Sequence, residues 1–289
     1  MILALNTAQN IHELALLSSA TAGAADSKLL AERRWVNAKE DVEKLVPTVQ
    51  ELLSEASATK QDLTGFVVVR GPGSFTSVRV GVAFMNALAE GLSTAHSTAA
   101  HQTPVHLYAM DTFELLALKA PTTRPLLVVL HAGGLDVAFK LFEAKSVPAH
   151  AFVQNNASSP VHETTKTPSV HETTETTQVG PLATLLAKFP HGQNFHVAAE
   201  LPETLTCELR SITLEKEWQF LAASDLKTLG EALVGTISSA PISQELSHPE
   251  PTSRGLVSLT PINTALPLYL KSAHITVSKD PWKSTNRLL

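Results

Sequence analysis

The stretch from residue 66 to residue 92, FVVVRGPGSFTSVRVGVAFMNALAEGL, constrains the fold more than any other part of this chain. Its apolar start, residues 66–69, predicts a buried strand. A Gly-Pro-Gly turn at 71–73 follows, and Ser74 or Thr76 is suited to cap a helix. Apolar residues then recur at three- and four-residue spacing, which predicts a helix over 76–91 with one face on a core. Such a turn before a helix N-terminus offers free backbone N–H groups to an anion.

Composition indicates a globular protein without a strong charge bias. The chain has 289 residues, of which 44% are hydrophobic and 17% charged, enough for one large domain or two small ones. A net charge of −5, from 22 basic and 27 acidic residues, gives no basic footprint for independent binding of nucleic acid. The single cysteine, Cys207, excludes an intramolecular disulfide.

Hydropathy gives no sign of a membrane or secretory segment. No run of 18 uncharged apolar residues occurs, and the start MILALNT lacks a charged region and a long apolar run. We therefore expect a cytoplasmic protein with no membrane partner.

Strand and helix patterns alternate along the chain. The apolar runs predict strands at 2–5, 12–18, 29–36, 66–69, 105–108, 126–130, 137–142 and 194–198. The periodic segments predict helices at 39–54, 76–91, 113–119, 182–189 and 225–237, the last capped by Ser224. Short loops between the first three strands favour an antiparallel meander, and Pro47 is expected to kink the 39–54 helix or to mark a second start.

Three segments carry a resemblance to a known family. The string Gly71 to Thr76, followed by Val78-Arg79-Val80-Gly81, resembles the signature of the TsaB (YeaZ) family. The start ILALNTA is similar to the family's ILAIDTA, and residues 267–271, PLYLK, are similar to its closing Pro-x-Tyr-Leu-Arg string. On these strings the chain is identified as a member of the family.

The resemblance implies an α/β architecture. The family has the actin-like ATPase (ribonuclease H-like) fold, with two sub-domains and mixed sheets flanked by helices. We therefore expect an N-terminal sub-domain over 1–109 with partner-binding helices, and a C-terminal sub-domain over 110–289. A Thr/Ser/Pro-rich tract at 154–178, in which VHETT occurs twice, is expected to be a low-complexity insertion. We also expect Tyr269 to pack on the first sub-domain with its hydroxyl hydrogen-bonded.

The resemblance also implies a non-catalytic function. TsaB proteins are the non-catalytic partners of TsaD in the synthesis of tRNA N6-threonylcarbamoyladenosine (t6A). TsaD transfers the threonylcarbamoyl group to the adenosine next to the anticodon, and the ATPase TsaE recycles the complex. By resemblance this chain is an accessory subunit rather than an enzyme. It binds TsaD, forms a homodimer when alone, and meets tRNA only through the complex.

The helices over 39–54 and 76–91 are expected to carry the partner interface, because in TsaB relatives these helices pack in a bundle with the partner. The predicted interface residues are Val42, Leu45, Val46, Val49, Leu53, Ser77, Gly81, Phe84 and Leu88. A glycine inside a helix costs about 1 kcal/mol relative to alanine, so we expect a partner backbone to approach Gly81 closely. Gly81→Leu should then damage association more than folding.

The glycine turn and the first strand end supply a second candidate site, for a nucleotide or for the interface. Its residues are Asn6, Thr7, Gly71, Gly73, Ser74 and Arg79. Asn6 either closes the turn between two strands or contacts a ligand. Arg79 pairs with a partner acid, lines a nucleotide cleft, or is simply solvated. No cofactor is assigned to the chain itself, while ATP or ADP at the interface of the complex is compatible with the resemblance.

The chain differs from the family at two places where the family has charged residues. Asn6 stands where the family has Asp, and His131-Ala132-Gly133 stands where it has Asp-Ala-Arg. In active members of the wider superfamily an acid at the place of Asn6 helps to organise metal and phosphate, so Asn6 weakens a metal-dependent phosphotransfer function. At 131–133 the acid and the arginine are both missing, so any role that they have in relatives cannot be carried over. The alternative function, a divergent actin-like ATPase or sugar kinase, or a peptidase, is therefore disfavoured. No phosphate loop, HExxH, CxxC or GxSxG motif is found, and no metal site is predicted.

Overall fold

We describe the fold from a computed structural model of the chain. The structure describes residues 1–18, 27–36, 41–98, 104–121, 123–142, 177–189, 194–237 and 262–270. Almost all of the VHETT-containing tract and Lys271 lie outside these ranges. The side chain of Val42 lies outside the described residues as well.

The first sheet is built around the apolar strand that opens the chain. Its elements are β1 (Ile2–Asn6), β2 (Ile11–Leu17), β3 (Leu29–Val36), α1 (Asp41–Glu55), β4 (Gly65–Val69), α2 (Phe75–Thr98) and β5 (His106–Met110). The strand order is β3-β2-β1-β4-β5, with the first three strands antiparallel and β1, β4 and β5 parallel. Both faces of β1 and β4 are buried, which explains their unbroken apolar sequences.

The second sheet repeats this arrangement. Its elements are α3 (Thr112–Lys119), β6 (Leu126–His131), β7 (Asp136–Phe142), β8 (Gln178–Pro181), α4 (Leu182–Leu186), β9 (His196–Glu200), α5 (Glu203–Glu215), β10 (Gln219–Phe220) and α6 (Leu229–Ile237). The order is β10-β9-β6-β7-β8, with β7 antiparallel to β6 and β8, and β9 parallel to β6 and β10. Two sheets of one topology, flanked by helices, confirm the actin-like fold class.

The C-terminal part of the chain returns to the first sheet. Helix α6 packs on β2 and on α3, and Ile262 forms an antiparallel bridge with Leu107 of β5. The change from one sheet to the other falls between Met110 and Leu126, close to the predicted boundary at residue 109. Residues 229–237 and 262–270 nevertheless belong with the first sub-domain in space.

Each sheet has its own core. The first core joins β1, β2 and β4 to the inward faces of α1, α2 and α6, with Leu45, Leu52, Val78 and Met85 among its members. The second lies under α4 and α5, where the rings of Phe189, Phe195 and Trp218 pack edge to face. A third cluster between α3 and β6 joins the two halves.

Several sequence predictions are wrong in detail. The last helix begins at Leu229, not at Asp225, because Thr228 and Glu231 exchange side-chain-to-backbone hydrogen bonds there (2.9 and 3.3 Å), while residues 223–225 form a 3-10 turn. Helix α5 was not predicted at all. Pro47 marks no second start, since α1 is one helix with this proline on its exposed side. Asp111 caps α3 by accepting from the Glu114 N–H at 2.7 Å.

None of the helices in the described ranges is long and apolar enough to cross a bilayer.

Candidate functional site

A cleft lies between the two sheets, where the carboxyl ends of their central strands meet. Ligands of open α/β sheets bind at this edge. The cavity has a volume of about 330 Å³ and is lined by Ala8, Gln9, Asn10, Pro72, Gly73, Ser74, Leu130, His131, Glu200, Leu201 and Pro202. The two halves of the chain therefore both contribute to it.

The glycine turn forms one wall of the cleft, as its sequence predicts. The Ser74 N–H donates to the carbonyl of Ala8 at 2.9 Å, and a Cβ on Gly73 would lie 2.0 Å from the same oxygen. A glycine is therefore required at position 73 by a close approach of the chain to itself. Gly73 and Ser74 are the two predicted nucleotide-site residues that line the cleft.

Glu200, at the end of β9, reaches across the cleft. Its carboxylate accepts a 2.5 Å hydrogen bond from the Asn10 N–H in the β1–β2 turn and another from the Gln9 side chain. Burial raises the pKa of this carboxyl above its ordinary value. No lysine or arginine is among the described residues that line the cleft, so a phosphate group there would meet the Glu200 carboxylate without a lysine or arginine to balance its charge.

Asn6 does not line the cleft, although it ends β1. It is fully buried, and its Oδ1 accepts from the Ala8 N–H at 3.1 Å. Its Nδ2 donates to Gln9 at 2.9 Å and to the Glu13 carboxylate at 3.2 Å. This geometry is that of a residue closing the turn, which is the simpler of the two sequence interpretations.

Glu13 is the charged centre of this region and was missed in the sequence. It is 1% exposed and forms an ion pair with buried Lys119 of α3. It also accepts from the Leu229 N–H at 3.3 Å, and Arg34 lies 3.4 Å away. One carboxylate thus connects β2, α3 and α6. The available signal was a single acid in the apolar strand IHELALL.

Thr7 and Gly71 are also buried, and their contacts hold neighbouring parts of the chain together. The Thr7 hydroxyl donates to the Ser77 carbonyl at 2.8 Å and fastens α2 to the end of β1. Gly71 has a φ of +100°, and a Cβ there would lie 2.7 Å from the Leu268 carbonyl. The turn is further held by Thr112, whose hydroxyl donates to the Pro72 carbonyl at 2.6 Å.

Gly81 corrects a prediction about the partner interface. A Cβ on this glycine would lie 2.2 Å from the Thr7 Oγ1, so the close neighbour is the chain's own β1 end and not a partner backbone. Gly81→Leu is therefore expected to damage folding itself, and the predicted larger loss of association stays a prediction.

The other predicted interface residues divide into two groups. Leu45, Val49, Leu53 and Ser77 are buried within the chain and have no surface to offer a partner in this conformation. Val46 is 51% exposed, and Phe84 and Leu88 are half-buried. Whether this second group contacts a partner stays a prediction.

The outer face of α2 is made of small and apolar side chains. Thr76, Ala83, Ala87 and Gly91 are exposed along it. Val80 and Phe84 are half-buried beside them. We call this surface, together with Val46 of the neighbouring α1, the α1–α2 outer face.

Arg79 packs against a pair of aromatic rings and does not line the cleft. Its guanidinium carbon is 3.9 Å from the Phe75 ring centroid, and its Nε donates to the Tyr269 hydroxyl at 3.0 Å. The two rings are 4.9 Å apart. The prediction that Tyr269 packs on the first sub-domain with its hydroxyl bonded is confirmed.

Sequence comparison finds relatives that match part of this chain. Residues 35–140 match the TsaD family model, described as tRNA N6-adenosine threonylcarbamoyltransferase. The chain is 36% identical over 91 residues to the tRNA threonylcarbamoyladenosine biosynthesis protein TsaB of Bacillus subtilis, covering 32% of this chain and 37% of that protein. TsaB of Escherichia coli is 36% identical over 53 residues, covering 18% and 23%. The chain is a relative of the TsaB (YeaZ) proteins.

The matched segments cover only part of these TsaB proteins, 37% of the Bacillus subtilis protein and 23% of the Escherichia coli protein. Structural comparison extends further. A crystal structure described as an uncharacterised protein with similarity to the peptidase YeaZ from Pseudomonas aeruginosa is 18% identical, with a TM-score of 0.52. It covers 80% of this chain and 88% of that one. At this identity the likeness shows the shared fold.

Proposed function

We propose that this chain is a TsaB-type, non-catalytic subunit in the synthesis of t6A in tRNA. In this proposal it binds TsaD in the cytoplasm and holds it in a form competent to transfer the threonylcarbamoyl group. TsaE acts on the same assembly, and tRNA is contacted only through it. The homodimer expected of the isolated chain uses the same surface that TsaD covers.

The observation that carries the proposal is the α1–α2 outer face. A long helix that exposes alanines and a glycine beside half-buried Val80 and Phe84 is suited to close packing against another helix. The face lies within residues 35–140, the segment that matches the TsaD family model. A surface of this kind is more useful to a binding subunit than to an isolated enzyme.

The cleft supports binding rather than chemistry. Among the described residues that line it, the one carboxylate, Glu200, is hydrogen-bonded to the turn opposite, and no lysine or arginine is present to neutralise a transferred phosphoryl group. Ser74, the serine in its wall, has its hydroxyl 3.2 Å from the Ser77 hydroxyl. No histidine or carboxylate is bonded to Ser74 in the described residues, so nothing there activates it as a peptidase nucleophile.

A complementation experiment tests the proposal. The native gene is depleted, and total tRNA nucleosides are analysed for t6A by mass spectrometry. We expect t6A to fall, and to return with the wild-type chain but not with Ala83→Arg, which places a long charged side chain on the outer face. Leu214→Arg is the matched control, because Leu214 is 82% exposed on α5, away from that face.

Two kinds of result would contradict the proposal. The first comes from the complementation experiment: normal t6A after depletion, or full rescue by Ala83→Arg. The other is robust magnesium-dependent nucleotide hydrolysis, or casein cleavage lost in Ser74→Ala, by the purified chain, which would favour an ATPase, sugar kinase or peptidase.

A further inference from the structure

The aromatic and arginine cluster at the start of α2 is not used by the proposed function. Arg79 stacks on Phe75 and donates through Nε to Tyr269, at the distances given above. Two rings and one hydrogen bond fix a side chain that is otherwise exposed. A guanidinium held in this way loses little conformational entropy when it binds a ligand.

The wall that holds Arg79 is itself anchored. The Asn86 side-chain amide makes two 2.9 Å hydrogen bonds with the backbone of Ala265, one donated and one accepted. The Leu268 N–H donates to the Arg70 carbonyl at 2.7 Å. These bonds fasten Ala265 to α2 and Leu268 to the end of β4, so Tyr269 reaches Arg79 from a fixed position.

Arg79 has capacity for a further ligand. Within the described ranges no carboxylate pairs with it, and its single hydrogen bond uses Nε. The two terminal nitrogens are therefore left for solvent or for a ligand. A guanidinium fork binds a carboxylate or a phosphate through two parallel hydrogen bonds.

The surroundings favour a protein carboxylate over a polyanion. Phe75 and Tyr269 are partly exposed and Leu266 is 69% exposed, so the rim around the charge is apolar. Arg79 is the one arginine or lysine in α2, and the adjacent α1 exposes Glu43, Glu51 and Glu55. Nucleic acid requires several cations in register, whereas one arginine within aromatic surface is typical of the core of a protein interface.

We propose that Arg79 is the anchor of the TsaD interface and receives an aspartate or glutamate carboxylate of TsaD in a two-pronged hydrogen bond. The inference rests on the proposed function and names the chemical group of TsaD that would bind beside the α1–α2 outer face. Arg79 lies one helical turn from Ala83, so the anchor and the outer face are continuous on α2.

Calorimetric titration with purified TsaD, at about 50 mM and about 500 mM salt, tests the inference. We expect Arg79→Gln to bind at least about tenfold more weakly at low salt and to lose most of the salt dependence of the wild type. Arg79→Lys should recover little affinity, because lysine lacks the planar fork. Arg210→Gln is the matched control, since Arg210 also stacks on a ring, Phe220 at 5.0 Å, but in the second sub-domain.

The outcomes separate the two claims. If the wild type binds TsaD and Arg79→Gln binds equally well at both salt concentrations, the Arg79 inference is overturned and the proposed function stands. If the wild type does not bind TsaD, both are overturned. Loss of tRNA binding by the isolated chain, or of its self-association, with TsaD affinity unchanged in Arg79→Gln would assign Arg79 to phosphates or to a second copy and overturn the inference. Unchanged thermal unfolding of the variants shows that the fold is intact.

Discussion

Asn6 shows how one atom of difference changes what the end of a strand can do. Its Nδ2 donates to the Glu13 carboxylate at 3.2 Å in a fully buried position. An aspartate would place a second acid against Glu13, with Lys119 as the one buried cation bonded to that carboxylate. The amide is therefore compatible with the buried network, whereas an added charge would not be.

We expect Asn6→Asp to destabilise the fold in a pH-dependent way. Burial and the adjacent Glu13 would raise the pKa of the new carboxyl. An acid whose pKa is raised on folding lowers stability above that pKa and has no such effect below its unfolded value, near about 4. Denaturant unfolding should show a loss of roughly 1–3 kcal/mol at pH 7, which shrinks at acid pH. Asn6→Ala, which loses the same hydrogen bonds without a charge, is the control, and an equal loss at every pH would contradict the argument.

Glu200→Gln is expected to increase stability at pH 7, whereas Asn6→Asp is expected to decrease it. Burial raises the pKa of Glu200, so ionisation costs stability as the pH rises from the ordinary glutamate value through the raised one. Glu200→Gln keeps an oxygen to accept from the Asn10 N–H and removes the charge. The variant should be more stable than the wild type at pH 7 and equal to it near pH 4 in thermal unfolding. Glu208→Gln, exposed on α5, should show no such difference, and a less stable Glu200→Gln at pH 7 would contradict the account.

At the scale of elements, helix α2 contains two glycines with opposite roles. Gly81 faces the Thr7 side chain, whereas a Cβ on Gly91 would meet no atom within 4 Å. Helical periodicity identified the helix and its buried stripe, but it treats both glycines alike. The difference depends on Thr7, which follows β1 and is 74 residues away from Gly81 in sequence, and so could not be predicted from local pattern.

This contrast is testable with two alanine substitutions. Gly81→Ala should destabilise by about 1–3 kcal/mol, because the new methyl group collides with Thr7. Gly91→Ala should stabilise by about 0.5–1 kcal/mol, because alanine restricts the unfolded chain and suits an exposed helix position. Chemical denaturation measures both. Truncation of the colliding side chain in Gly81→Ala/Thr7→Ala should restore part of the loss, and additive losses in the double variant would contradict the collision.

For the whole molecule, the sequence predicted the order of most strands and helices and the turn that lines the cleft. Two sub-domains with mixed sheets were expected only through the family resemblance, and the repeat of one sheet topology in both was not predicted. Glu13 and Glu200 were not predicted as site residues, because each acts across a long sequence separation, on Lys119 and Leu229 or on Asn10. Leu45, Val49 and Leu53 were predicted to face a partner, and the structure buries them within the chain itself, because a helical stripe does not show which surface buries it.

The central claim is that TsaD covers the α1–α2 outer face of a chain whose own cleft performs no chemistry. Hydroxyl-radical footprinting of the chain alone and with TsaD measures this directly, since side-chain oxidation reports exposure. We predict that labelling of Val46 and Phe84 falls sharply on binding while that of Leu214 on α5 is unchanged. Binding that leaves Val46 and Phe84 as reactive as in the free chain would contradict the account.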